Sequence, residues 1–402
     1  KLLGSSMSTH TSRYKVLVSG IFCLMLTMGV ARFAYTPMIP IMFEQAGLTK
    51  VTAGWLATIN YFGYMCGALV ASLVSNLFIK DRLYRGGLIL AVLTTVLMGQ
   101  ADAFWQWAIL RYLAGLASAA GLLIGAGLML NWLIRHQYRH EMGIHFSGVG
   151  FGIALVAILT ASSSHWGWSE QWLLLGFVGV FFAIPAWYWL PTQTKTAATQ
   201  KTVTLVDTPP SKRFLWLMML VYFCAGFGFV ISATYIVTIV ENHAALKGQG
   251  EVAFLVLGLA AAPASIIWDY VSRQVGILRA LLVACVVHAI GIFLPGLYDS
   301  LSVALLSAAL YGFTFIGIVS IVLTMAGRFY PSKPSKLMGI LTMCYGIPQV
   351  VAPTIAGYLA EATGNYNSAL YLACGFVSFG CLVILAIMKW AASDVKLLLP
   401  SR

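Results

Sequence analysis

VLVSGIFCLMLTMGVARFAYTPMIPIMF, residues 16–43, runs from Val16 to Phe43 with a single charge, Arg32. Crossing ~30 Å of hydrocarbon takes about 20 apolar residues in a helix, so this stretch is long enough to span a membrane. Lipid offers the backbone no water, which leaves only helices or a closed barrel as spanning structures. The apolar residues run on instead of alternating, and that decides for a helix. Similar runs follow at 52–79, 86–101, 104–134, 142–162 and 171–190, then at 214–240, 252–268, 277–297, 301–327, 337–360 and 368–390. The chain of 402 residues is 60% hydrophobic and 9% charged, with a mean hydropathy of +0.87. A soluble domain carries roughly 25% charged residues. The expected fold is therefore an all-α membrane protein of about twelve transmembrane helices.

The net charge of +12 would suggest a nucleic-acid partner on a soluble protein. Its distribution says otherwise. With the N-terminus in the cytoplasm, about twenty of the 24 Lys and Arg fall on cytoplasmic segments, as the positive-inside rule requires. Lys80, Arg82 and Arg85, Arg135 and Arg139, Lys212 and Arg213, and Arg328, Lys333 and Lys336 all lie on that side, whereas the other side keeps Lys50 and Lys247. Basicity here sets orientation in lipid and implies no nucleic acid. The leading KLLGSS (1–6) reads as a vector-derived remnant, with Met7 expected as the native start. The first apolar run has no small-residue cleavage site, so it reads as a span and not as a signal peptide. The seven cysteines all lie in apolar segments with no C-x-x-C pair, which fits packing residues better than disulfides or metal ligands.

The two halves of the chain look like copies. Met142-Gly143-Ile144 opens the fifth run and Met338-Gly339-Ile340 opens the eleventh. Gly29 and Gly226, Gly115 and Gly312, and Asp102 and Asp299 repeat at nearly the same offset. Asp-x-x-x-Arg follows both the second and eighth runs, as Asp81/Arg85 and Asp269/Arg273. Such repeats argue for two pseudo-symmetric six-helix halves, as in many secondary transporters. The expected organisation is a remnant and cytoplasmic N-terminus (1–15), a first half (16–190), a polar cytoplasmic linker (191–213), a second half (214–390) and a cytoplasmic C-terminus (391–402).

Six plus six helices, a cytoplasmic linker and these motifs resemble the major facilitator superfamily. The segment KDRLYR (80–85) resembles its loop motif, with Tyr84 where glycine is usual and Leu77 in place of the leading glycine. Arg111-Tyr-Leu-Ala-Gly115 resembles its buried Arg-x-x-x-Gly. GVARFAYTPMIP (29–40) and YGIPQVVAPTIAGYL (345–359) are similar to the bacterial YbfB/YjiJ branch. The resemblance implies the major facilitator fold, transport by alternating access, and a place in the bacterial cytoplasmic (inner) membrane with both termini inside. It further implies that the first and fourth helices line a central cavity, and that Asp81, Arg82, Arg85, Asp269 and Arg273 serve conformational change.

Arg32 lies seventeen residues beyond Lys15 and twelve before Glu44, well inside the bilayer at 1.5 Å per residue. A charge at that depth costs at least ~2.5 kcal/mol and faces a partner or a watery cavity. Pro37 and Pro40 follow it and are positioned to bend the helix. Arg111 falls within about 5 Å of Arg32 in depth. Two guanidinium forks at one level suit a carboxylate or phosphate. Alternatively, each arginine ties helices together through backbone carbonyls. Acidic residues fall near span ends (Glu44, Glu141, Glu241, Glu361) or between spans (Asp81, Asp102, Asp269, Asp299), so an anionic ligand is left to supply the missing counter-charge. Tyr35 is one turn from Arg32, and Tyr61, Tyr235, Tyr311, Tyr345 and Gln349 are further intramembrane candidates to line the pathway; helix contacts are the alternative role. His288 and His145 are proton-coupling candidates, with packing as their alternative. Gly63/Gly67, Gly121/Gly125 and Gly148/Gly152 read as close helix contacts, not as nucleotide loops.

The leading functional expectation is a secondary transporter of a small organic anion: a carboxylate, extending to polycarboxylates and carboxylate siderophores. It is expected to couple to protons, to act as a monomer in membrane lipid, and to need no cofactor or metal. A proton-coupled exporter of drugs or metabolites is the first alternative, and a non-transporting membrane receptor the second. No Ser/His/Asp set, di-His pair or buried acid dyad supports an enzyme, and no Walker motif supports direct use of ATP. With both termini and the 191–213 linker cytoplasmic, single cysteines at Lys50, Glu170 and Lys247 in a cysteine-free background should label from outside intact cells. Linker cysteines should label only after permeabilisation, and the opposite pattern overturns the orientation.

Overall fold

A computed structural model of the chain describes residues 2–136, 138, 142–192, 207–330 and 334–390, with side chains from Arg13 onward and apart from Ile134, Met142 and 334–336. Most of the linker, the C-terminus from 391, and Arg139, Glu141 and Lys333 lie outside the described residues. Every regular element is helical. The first crossing is composite: α1 (Leu2–Leu24), a π-helical stretch (Met25–Phe33) and α2 (Tyr35–Gln45). Next come α3 (Lys50–Leu73) and α4 (Leu77–Met98). The fourth crossing is composite too: α5 (Phe104–Ala119), a π-helical stretch (Ala120–Gly125) and α6 (Ala126–Arg135). α7 (Met142–Ser162) and α8 (Trp168–Trp189) complete the first half. The second half holds α9 (Lys212–Glu241), α10 (Gly250–Val275), α11 (Ile277–Phe293), α12 (Leu301–Phe329), α13 (Pro334–Thr363) and α14 (Asn367–Trp390).

Eleven of these twelve crossings are long and apolar enough to span a membrane. α4 falls short because Lys80, Asp81, Arg82 and Arg85 ride on its first turns. Here the structure corrects the sequence reading, which placed that motif between spans 52–79 and 86–101. The helix breaks at Val74, and Asn76 starts the next one by accepting hydrogen bonds from the backbone N–H of Phe78 (2.9 Å) and Ile79 (3.3 Å). That is an ordinary N-cap, and it pulls the charged motif into helix. Asp269 and Arg273 likewise lie within the last turns of α10.

The repeat glycines make matching contacts in the two halves. A Cβ on Gly29 would meet Gly152 of α7, and one on its mate Gly226 would meet Tyr345 of α13. A Cβ on Gly115 would collide with Asn60 O of α3, and one on Gly312 with Leu257 O of α10. Gly143 faces Ile266 across the halves, and Gly339 faces Ser72. First to fifth, fourth to second and fifth to eighth crossings thus recur as seventh to eleventh, tenth to eighth and eleventh to second. Small residues let membrane helices approach this closely when no hydrophobic effect drives them together.

The halves meet along α3 with α13 and along α7 with α10. At the end remote from the linker they are also hydrogen-bonded. The Thr36 hydroxyl donates to Ala233 O (2.7 Å) and that of Thr58 to Val350 O (2.6 Å). Lys50 Nζ donates to Gly364 O (3.1 Å) at the C-terminal end of α13, where a helix dipole favours a cation. This far end is closed.

Gly115→Ala should lower the melting temperature by an amount equivalent to about 1–3 kcal/mol, the usual cost of overpacking. Gly86→Ala, where a Cβ meets nothing within 4 Å, is the control and should be neutral. Equal melting of the two variants would show that the α3–α5 contact does not depend on glycine.

Candidate functional site

The composite first crossing delivers Arg32 to the middle of the bundle. Its wide turn is seen in the bond from Ala34 N–H to Gly29 O (2.9 Å), five residues back. Pro37 has no N–H to return to Phe33 O, so the ladder is interrupted just where the π stretch ends. One extra residue in a turn rotates the following side chains by about 100°, and π turns concentrate at functional positions. Arg32 is 5% exposed. Its guanidinium carbon lies 4.4 Å from the ring centre of Tyr61 and 4.5 Å from that of Tyr64, both on α3, so two aromatic faces hold it. Its Nη2 donates to Gln349 Oε1 on α13 at 3.2 Å.

Arg111, 3% exposed, stands beside it on α5. It lies 4.3 Å from the Tyr35 ring centre, and its Nη1 donates to Ala31 O at 3.3 Å. Asn60 Nδ2 donates to Arg111 O (2.7 Å), pinning α5 to α3 at this level. Among the described residues no carboxylate pairs with either arginine, and the Nε of each is buried without an acceptor. The two cations share the wall of one narrow cavity of ≈ 10 Å³, room for about one water, lined by Arg32, Phe33, Tyr35, Thr36, Asn60, Tyr61, Arg111, Ala233 and Thr234. Chemically, it is a small chamber with two cations, unsatisfied N–H donors and aromatic walls.

Four of the residues singled out from sequence therefore meet on one cavity: Arg32, Arg111, Tyr35 and Tyr61. Gln349 reaches Arg32 from the second half. Tyr235 and Tyr311 do not line the cavity; their hydroxyls donate to Pro353 O and Phe229 O. Tyr345 also lies off the wall, stacked on Tyr222 with ring centres 4.5 Å apart. His288 is set behind Tyr311 with ring centres 5.0 Å apart, and its Nδ1 lies 2.8 Å from the Thr314 hydroxyl. That hydroxyl also donates to Leu310 O (2.8 Å), and Nε2 of His288 has no partner among the described residues. His145 packs its ring, Nδ1 foremost, against the Gly20 backbone. Thr36, Phe33, Ala233 and Thr234 were missed as wall residues, whereas Asn60, an intramembrane polar residue in the sequence, does line the cavity. The available signal was helical spacing: Thr36 is i+4 from Arg32.

The charged motifs lie apart from this cavity. Arg85 bonds Asp81 (3.0 Å) and reaches Leu190 O (3.2 Å) and the Thr192 hydroxyl (3.1 Å), tying α4 to the end of α8. Arg82 lies over the Phe78 ring, 4.5 Å from its centre. In the second half Arg273 pairs with Asp269 one turn away.

The family model described as "Uncharacterised MFS-type transporter YbfB" matches residues 24–385. The chain belongs to this family of major facilitator transporters and is a multi-pass membrane protein. It is 20% identical over 407 residues to the "Probable sulfoacetate transporter SauU" of Cupriavidus necator, covering 92% of this chain and 93% of that one. It is 23% identical to the "Uncharacterized MFS-type transporter YceJ" of Bacillus subtilis, covering 87% and 84%. Identity to the "Uncharacterized transporter mfc1" of Schizosaccharomyces pombe is 29% over 150 residues, so the chain spans 30% of that relative's length and the match 36% of its own. The crystal structure of the nucleoside transporter NupG superposes with a TM-score of 0.70 at 12% identity, covering 94% of this chain and 98% of that one. That likeness is one of fold.

Proposed function

We propose that this protein is a secondary active transporter of a small organic anion, a carboxylate or sulfonate, bound between Arg32 and Arg111 and carried across the bacterial cytoplasmic membrane by alternating access. One observation carries this reading: two buried guanidiniums face a single cavity with donors to spare and no acidic partner. Leaving such charges unpaired is costly, and a carboxylate or sulfonate would accept from both forks. A relative described as a probable sulfoacetate transporter is in keeping with this. In this reading both termini are cytoplasmic, and the hydrogen-bonded far end faces outward.

Binding of a panel of small carboxylates and sulfonates, sulfoacetate included, tests the reading through the rise in melting temperature that a ligand of the folded state produces. Arg32→Ala should weaken binding roughly 30-fold or more, given the 2–5 kcal/mol that losing one partner of a buried charged pair costs. Arg32→Lys keeps the charge but loses the fork and should also weaken it. Undiminished affinity in a folded Arg32→Ala protein would leave the arginine as a helix tie and end the anion reading.

Proton coupling is part of the same proposal. No acid lines the cavity among the described residues, so the substrate's own carboxyl or His288, behind Tyr311, carries the proton. Uptake into proteoliposomes should rise as the outside pH falls and collapse with a protonophore. Uptake indifferent to both would identify exchange or facilitated diffusion instead.

A further inference from the structure

The rings that hold Arg32 all belong to the first half, whereas its hydrogen-bond acceptor does not. Gln349 Oε1 comes from α13 of the second half. The amide cannot be turned round at no cost, because its Nε2 donates to Tyr345 O at 3.0 Å and so aims the oxygen at the guanidinium. Gln349 is 2% exposed, so water does not compete for it. At 3.2 Å the bond is longer than the 2.7–2.9 Å typical of a guanidinium with a carboxylate. Arg32 also keeps an unused Nε.

We infer that Gln349 is an internal stand-in for the substrate anion, a positioning residue that gives Arg32 an oxygen acceptor while the site is empty and yields that place when an anion arrives. The inference rests on the anionic-substrate reading above. A neutral amide oxygen accepts from a guanidinium more weakly than a carboxylate or sulfonate that engages the fork bidentately, so the anion displaces it. Without any acceptor the empty site would hold a bare buried cation, and the empty carrier would be trapped or unstable. With Gln349 in place the empty carrier can reorient, which allows net transport instead of obligatory one-for-one exchange. The stand-in also belongs to the far-end closure. Val350 O, on the next residue of α13, accepts from Thr58 of α3 in the first half. Release of Gln349 by an arriving anion thus loosens one tie between the halves.

The test needs no knowledge of the substrate in its first arm. Gln349→Glu supplies Arg32 with a permanent carboxylate, so the melting temperature of the ligand-free protein should rise by roughly 1–3 °C. In the Arg32→Ala background the same substitution should lower it, since the carboxylate is then buried without a partner. Equal effects in both backgrounds overturn the inference. In a second arm, proteoliposomes are assayed with labelled sulfoacetate as the probe. Gln349→Ala should preserve exchange of inside for outside sulfoacetate while reducing net uptake into empty vesicles about tenfold or more, the size expected for a lost hydrogen bond to a charge. Loss of exchange and net uptake together would make Gln349 an ordinary substrate ligand and overturn the stand-in role. If sulfoacetate and the rest of the panel fail to shift wild-type melting while the first arm holds, the internal pair stands and the anionic-substrate reading falls.

Discussion

A guanidinium in hydrocarbon must be given acceptors or be expelled, and Arg32 and Arg111 impose that condition on the centre of this bundle. Insertion scales put the cost of such a charge at ~2.5–3.5 kcal/mol. The protein meets it without a single carboxylate at the site among the described residues. Tyrosine faces stand against both cations, two for Arg32 and one for Arg111. The remaining acceptors are neutral oxygens, Ala31 O and Gln349 Oε1. Rings and amide oxygens stabilise a cation more weakly than an acid does, and in the proposed reading that weakness keeps the site open to an anion. An internal Asp or Glu would hold the arginines more firmly and would compete with the substrate.

Presenting two cations at one level requires particular helix shapes. The crossings that carry Arg32 and Arg111 both contain a π-helical stretch, and these stretches touch. The Ser118 hydroxyl donates to Thr27 O (2.8 Å), and a Cβ on Gly121 would strike the Thr27 side chain. Each wide turn leaves backbone groups out of the regular ladder, and neighbours take some of them up, as Ser118 does here. The close approaches of Gly29 to Gly152 and of Gly115 to Asn60 O then fix the depth of each arginine relative to the aromatic residues of α3. Packing and site are thus one construction: the glycines set the spacing that the rings need to reach the guanidiniums.

Much of this was legible in the sequence, for identifiable reasons. Hydropathy marks the crossings because lipid penalises every unpaired backbone group. The shared level of Arg32 and Arg111 follows from a rise of 1.5 Å per residue, and the structure brings both to one cavity. Which face a tyrosine turns to is a different matter. Tyr235 and Tyr311 use their hydroxyls on carbonyls of neighbouring helices, and spacing along a single helix carries no information about a carbonyl on another. The wide turns were equally hidden, because Pro37 announces an interrupted ladder but not whether the helix will bend or widen. The start of α4 was missed for a simpler reason. Asn76 caps a helix whose first turns are charged, and a hydropathy reading excludes charged turns from the span.

The glycine register exposes an asymmetry between the halves that hydropathy does not show. Three residues beyond Gly29 stands Arg32, and three beyond its mate Gly226 stands Phe229; four before Gly115 stands Arg111, and four before Gly312 stands Ala308. Both cations therefore belong to the first half. In the second half the matching place holds an aromatic run in which Phe229 stacks on Phe315 (5.4 Å) and Tyr345 (5.7 Å). A two-half carrier has to sense its cargo with both halves, or the rocking of one against the other is uncoupled from occupancy. If the cargo is an anion, as proposed, both cations that would bind it belong to the first half, and a second-half group that reaches across to a cation would let the second half register it. Gln349 is such a group, and it adjoins Val350 of α13, whose carbonyl accepts from Thr58 of the first half. The asymmetry of charge and the placement of that one amide are parts of the same solution.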